Sequence, residues 1–311
     1  MSETQLIPIS GTEYENRIGD IIFVHGLGGD AYSTWHPQEK PEADNSWLGW
    51  LGKDIENIGI WSVDYEVEAF RWKGSTMPLA DRGTNIIDLL DIYEIGERPV
   101  IFITHSMGGL VVKQMLRHAC DFGNPSWKKI VKQTKGIVFL STPHSGSNIA
   151  NWLQYIKGII GTSVSVDELQ ANDPRLRELN TVYRNHTQLK EIPIIVYCEN
   201  ESTSGVLVVN QTSADPGIPG VIPIPLDENH ISIAKPKSNT SRLYLRVKKF
   251  IKECLSSPQP LTPLHSQDSI PQPESPREIN LNQGNYNENV QGSYIHVEGD
   301  YHQNSEPKKK A

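Results

Sequence analysis

The chain has 311 residues, enough for one large α/β domain or two small ones. Its formal net charge of -8, with no basic stripe to displace phosphate counterions, argues against nucleic acid as a partner. Cys120, Cys198 and Cys254 fall in no Cys-x-x-Cys spacing, so no zinc site, disulfide framework or other cofactor is expected.

The N-terminus lacks a basic segment followed by an apolar one, and no apolar run approaches the ~20 residues of a membrane span. A cytoplasmic, reduced setting without a transmembrane segment is therefore expected. Asp20-Ile-Ile-Phe-Val-His25 is a continuous apolar run that ends in Gly26-Leu-Gly-Gly29. Such a run, without alternation, suits a strand buried on both faces of a parallel sheet. Trp47, Leu48, Leu51 and Ile55 follow at helical spacing, then the strand-like Ile60-Trp-Ser-Val63. Ile86, Leu89, Leu90 and Tyr93 form the next helical stripe, before Val100-Ile-Phe-Ile-Thr104. A third stripe holds Leu110, Val111, Gln114, Met115 and His118. Gly136-Ile-Val-Phe-Leu140, Ile192-Pro-Ile-Ile-Val-Tyr197 and Gly220-Val-Ile-Pro-Ile224 are further strand-like runs. This alternation predicts an α/β domain over residues 15–255, a mostly parallel central sheet with helices on both faces.

Residues 147–190 interrupt the alternation. Ile149, Trp152, Leu153, Ile156, Ile159 and Ile160 lie there at helical spacing, either as a core-facing helix or as a cap over an active site. Residues 256–280, with Pro258, Pro260, Pro263, Pro271, Pro273 and Pro276, read as a linker. Residues 281–305 carry a loose repeat: Gln283-Gly-Asn-Tyr286, Gln291-Gly-Ser-Tyr294 and Glu298-Gly-Asp-Tyr301. A polar, proline-free repeat of this kind is either a disordered tail or a unit that stacks as a cross-β ladder.

The strongest chemical signal is Thr104-His-Ser106-Met-Gly-Gly109, between a buried strand and a helix. A nucleophilic serine on such a turn needs small neighbours, which Gly108 and Gly109 supply, and the helix N-terminus favours developing negative charge. His25-Gly-Leu-Gly-Gly29 is the matching loop, and it nominates the backbone amides of Leu27 and Met107 as an oxyanion hole. The base should be a histidine late in the domain. His230, in Pro-Leu-Asp-Glu-Asn-His-Ile-Ser, meets that requirement; His144 precedes any plausible acid, and His36, His118 and His186 suit structural roles. For the acid, Glu199 follows the penultimate strand-like run, with Asp215 second and Glu201 and Asp227 as rivals. The same residues would serve an acyltransferase or amidase, and the fold can persist as a binding module without turnover.

These two turns, with Phe139-Leu-Ser-Thr-Pro-His-Ser-Gly-Ser147 and Asn229-His230-Ile-Ser-Ile-Ala-Lys-Pro236, resemble a lipase-like branch of the α/β-hydrolase superfamily. That branch includes the serine-active-site-containing and GPI inositol-deacylase-like proteins, and the resemblance covers residues 18–255. It implies the α/β-hydrolase fold and a serine esterase or lipase acting on lipid or small ester substrates. Related sequences carry Tyr-x-Glu after the penultimate strand; Tyr197-Cys-Glu199 matches it and favours Glu199 as acid. The departure is Thr104, where the Gly-x-Ser-x-Gly pattern begins with glycine. Domains of this branch also occur as effectors beside NLR-type signalling proteins, sometimes joined to an amyloid-forming motif that the repeat resembles. A peptide spanning residues 280–305 should form seedable fibres; a peptide that stays monomeric and coil-like under seeding rules out ladder pairing.

Overall fold

A computed structural model describes residues 3–65, 79–144, 152, 155 and 174–256. The linker and the repeat, apart from Ser256, lie outside the described residues, as does most of the 147–190 insertion.

Seven strands form one sheet: β1 (Gln5–Ser10), β2 (Gly19–Val24), β3 (Ile58–Asp64), β4 (Val100–His105), β5 (Thr134–Leu140), β6 (Ile194–Glu199) and β7 (Ile224–Leu226). Their order is β1-β3-β2-β4-β5-β6-β7, and every pairing is parallel except β1 with β3. The continuous apolar runs are explained by a core on each face. Ile22, Val24, Phe102, Ile137, Phe139 and Val196 point into one core. The intervening Ile21, Phe23, Ile101, Ile103, Val138, Leu140 and Tyr197 point into the other. Helices α2 (Leu79–Ile92), α3 (Met107–Asp121) and α4 (Pro125–Gln133) bury their stripes in the first core. Helix α5 (Pro174–Asn185) and the single turn α6 (Gln211–Ala214) add Tyr183 and Ala214 to that first core, and α1 (Trp47–Asp54) and α7 (Arg242–Ser256) close the second.

The chain passes from β2 outward to β3, then returns to lay β4 on the other side of β2. Strand order reverses there, so the loops leaving β2 and β4 start side by side at the C-terminal edge of the sheet. Those are the two turns that carry Gly26-Leu-Gly-Gly29 and Ser106.

Two elements differ from the expectation. The strand β1 lies ahead of the span 15–255; it holds Pro8 at a register shift and buries only Leu6 fully, so it lacks the apolar run of an inner strand. The strand expected at 220–224 is β7, which begins only at Ile224, because Gly220 adopts φ 81° in a turn and Pro223 has no amide to pair. No helix among the described residues is long and apolar enough to cross a membrane.

Helix α7 lies tightly on β5. A Cβ added at Gly136 would come 2.8 Å from both Cys254 Sγ and the Phe250 ring. Gly136→Ala should therefore cost about 1–3 kcal/mol by overpacking, read as a lower urea midpoint at unchanged slope. An unaltered midpoint would mean that α7 yields without cost.

Candidate active site

Ser106 is the residue between β4 and α3, with φ 51° and ψ -122°. Left-handed φ is unfavourable for a residue with a Cβ, and the surrounding structure must hold it. Its amide donates to the Leu140 carbonyl at 2.8 Å, anchoring the turn to β5. Glycines let the turn close: a Cβ at Gly26 would lie 2.8 Å from Ser106 Cβ, and one at Gly108 would strike the carbonyl oxygens of Val24 and His25. Thr104 fits because its buried hydroxyl donates to the Val138 carbonyl at 2.9 Å. The hydroxyl is accommodated against β5.

His230 lies in the loop between β7 and a short 3-10 turn, Ser232–Ala234, and is fully buried. Its Nε2 is 2.9 Å from Ser106 Oγ, and its Nδ1 is 3.2 Å from Glu199 Oε2. Glu199 ends β6 and is 2% exposed. Its carboxylate also accepts from the Ser141 hydroxyl and the Val209 amide. The structure thus brings Ser106, His230 and Glu199 into one buried chain. The rival carboxylates are elsewhere: Asp215 accepts from the Gly217 amide in an exposed turn, Asp227 accepts from Asn200 Nδ2, and Glu201 is exposed. Met107 opens α3, so its amide has no carbonyl behind it in the helix. Leu27 is in the loop closed by Gly29 donating to the Gly26 carbonyl, and Asp30 braces that loop by accepting the Tyr32 and Ser33 amides. Among the described residues no cluster of His, Cys, Asp and Glu could hold a metal ion.

Several neighbours were not marked by sequence reasoning. Ser141, just past β5 with φ 46°, turns its hydroxyl onto Glu199. Its sequence signal is its place in the Phe139–Ser147 motif, at the C-terminal end of a buried strand. His105 Nε2 donates to the His230 carbonyl at 2.8 Å, and the Thr203 hydroxyl accepts the His230 amide at 3.0 Å. Tyr65 stacks on His25 at 4.4 Å and donates to the His25 carbonyl. Tyr155, in the 147–190 insertion, sets its ring edge-to-face with His230 at 4.7 Å. Burial, with Glu199 nearby, pushes its hydroxyl up to about 12, so it stays neutral. Among the other histidines, His36 bonds the Asp44 carbonyl, and His118 pairs with Gln114 and Thr84.

Residues 20–157 match the family described as PGAP1-like alpha/beta domain. Protein SERAC1 of Danio rerio is 34% identical over 260 residues, covering 76% of this chain and 39% of that protein. Protein SERAC1 of Homo sapiens is 34% identical over 259 residues with the same coverage. The chain therefore spans 39% of the length of these relatives. Among solved structures, Bacillus licheniformis lipase BlEst2 in its mature form superposes with a TM-score of 0.54 at 17% identity, over 79% of this chain and 97% of that one. That likeness shows the α/β-hydrolase fold.

Helix α3 also carries a wholly buried lysine. Lys113 Nζ lies 3.0 Å from His144 Nδ1, donates to Asn180 Oδ1 on α5 at 2.6 Å, and sits 4.8 Å from the Tyr183 ring centroid. His144 is thus buried against α3, and burial pushes Lys113 down to about 7, with Arg184 adding to the effect. Unfolding returns it to the ordinary 10.5, so between these values the unfolded chain binds more protons than the folded one. Stability should accordingly rise with pH above about 7, until the buried thiols oppose it near the ordinary cysteine value of 9.0. Urea midpoints for the wild type should climb across that window and stay flat for Lys113→Met. Parallel slopes would mean that the lysine is charged when folded.

Proposed function

We infer that this lipase-like protein of the α/β-hydrolase fold is a serine hydrolase that cleaves carboxylic esters of lipids or smaller acyl compounds through an acyl-enzyme. The observation that carries the reading is the buried Ser106–His230–Glu199 chain, with contacts of 2.9 and 3.2 Å. In this mechanism Ser106 Oγ attacks the ester carbonyl while His230 Nε2 takes its proton. Glu199 accepts the hydrogen bond from Nδ1, fixing the tautomer and stabilising the imidazolium that forms. The carbonyl oxygen becomes an oxyanion held by the Leu27 and Met107 amides. Collapse breaks the ester bond, and His230 returns the proton to the leaving alkoxide. Water then attacks the acyl-serine, losing its proton to His230; collapse breaks the bond to Ser106 Oγ, His230 returns the proton to that oxygen, and the acid departs. The left-handed turn at Ser106 is the kind of strain that presents a nucleophile.

A cytoplasmic setting accords with the three cysteines being free thiols. The Gly-x-Tyr repeat is proposed to recruit an NLR-type signalling partner, as its resemblance to amyloid-forming motifs implies.

A fluorophosphonate probe should label the wild type and leave Ser106→Ala unlabelled. Hydrolysis of short nitrophenyl esters should fall by up to ~10⁶ in Ser106→Ala and by about 10⁴ in Glu199→Gln. Equal labelling of wild type and Ser106→Ala would remove the assignment; transfer to added alcohol or amine in preference to water would redefine it as acyl transfer.

A further inference from the structure

We propose that His105 is a positioning residue for His230, fixing the base through its main-chain carbonyl; the proposal rests on the serine-hydrolase reading above. The loop that carries His230 has little regular structure of its own. It follows a three-residue strand and precedes a three-residue 3-10 turn. Proton transfer from Ser106 nevertheless requires Nε2 within hydrogen-bond reach of Oγ, and catalysis suffers steeply when such groups are displaced by about 1 Å.

The restraint comes from outside the loop. The His230 amide donates to Thr203 Oγ1 at 3.0 Å, and the His230 carbonyl accepts from His105 Nε2 at 2.8 Å. Both main-chain polar groups of the base are thus occupied by side chains from other segments. One of these, His105, directly precedes the nucleophile and is the last residue of β4, paired with Leu140 of β5. Nucleophile and base are therefore referenced to one rigid strand end, although 124 residues separate them.

A carbonyl oxygen only accepts, so the ring nitrogen of His105 must be protonated at Nε2. That nitrogen is engaged with the carbonyl of His230, which leaves His230 as the imidazole at Ser106. Burial, reinforced by the neighbouring His230, pushes His105 down to about 3. It stays neutral while His230 gains and loses its proton, with ring centroids 5.1 Å apart. A second positive charge at that distance would oppose the imidazolium.

Two substitutions separate positioning from filling space. His105→Phe keeps a ring and removes the donor; His105→Gln keeps an N–H donor. His105→Phe should lower kcat on nitrophenyl esters about 10- to 100-fold with KM moving less than about twofold, and His105→Gln should recover most of the loss. Wild-type activity in His105→Phe, or a Phe variant better than the Gln variant, would overturn the proposal. Nitrogen-15 histidine spectra of the wild-type chain test it without any variant. They should contain a ring protonated at Nε2 that does not titrate near 6.5, and its absence would also overturn the proposal. Ser106→Ala distinguishes the two levels. Retained labelling there removes the serine-hydrolase reading itself; lost labelling there with an unimpaired His105→Phe removes only the role of His105.

Discussion

A carboxylate as deeply enclosed as Glu199 can be tolerated only if its oxygens are hydrogen-bonded, because an unpaired buried charge costs far more than a folded domain can spare. Its three donors come from three different segments: the Ser141 hydroxyl just past β5, the Val209 amide beyond β6, and the His230 ring beyond β7. Satisfying this one side chain therefore draws three neighbouring loops together at the same edge of the sheet. The imidazole that bonds the carboxylate on one side meets Ser106 on the other. A stability requirement and the proposed catalytic geometry coincide in a single group.

The sheet brings the remaining parts to that edge. Because β2 and β4 are parallel neighbours, the glycine loop and the serine turn leave the sheet side by side. Close contact follows only if side chains are missing where the segments cross. Gly26 and Gly108 supply that absence, and each is pressed against a backbone or a Cβ of the opposing turn.

The inner strands were legible because both of their faces are buried, which writes burial into the sequence as an unbroken apolar run. Ser106 stood out because it directly follows a strand of that kind, and His230 because it lies late in the domain, after the last strand. The carboxylate that bonds His230 was harder to single out. Glu199, Glu201, Asp215 and Asp227 all occupy loops or strand ends, and only the path of the chain decides which of them is enclosed. Ser141 and His105 lay within marked motifs, but their contacts, like that of Thr203, could not be read locally, since the partners lie 58, 125 and 27 residues away. Thr104 departs from the glycine that begins the Gly-x-Ser-x-Gly pattern; in the fold its hydroxyl turns to the Val138 carbonyl. The strand β1 escaped notice because an edge strand with one fully buried residue has no continuous apolar signature.

Both borders of the sheet are blunt. On one side β1 is broken in register around Pro8, and on the other β7 is only three residues long. An outer strand that is short, or interrupted by a residue without an amide, is a poor template for another chain to join. The folded body therefore resists growing sideways into aggregates of its own.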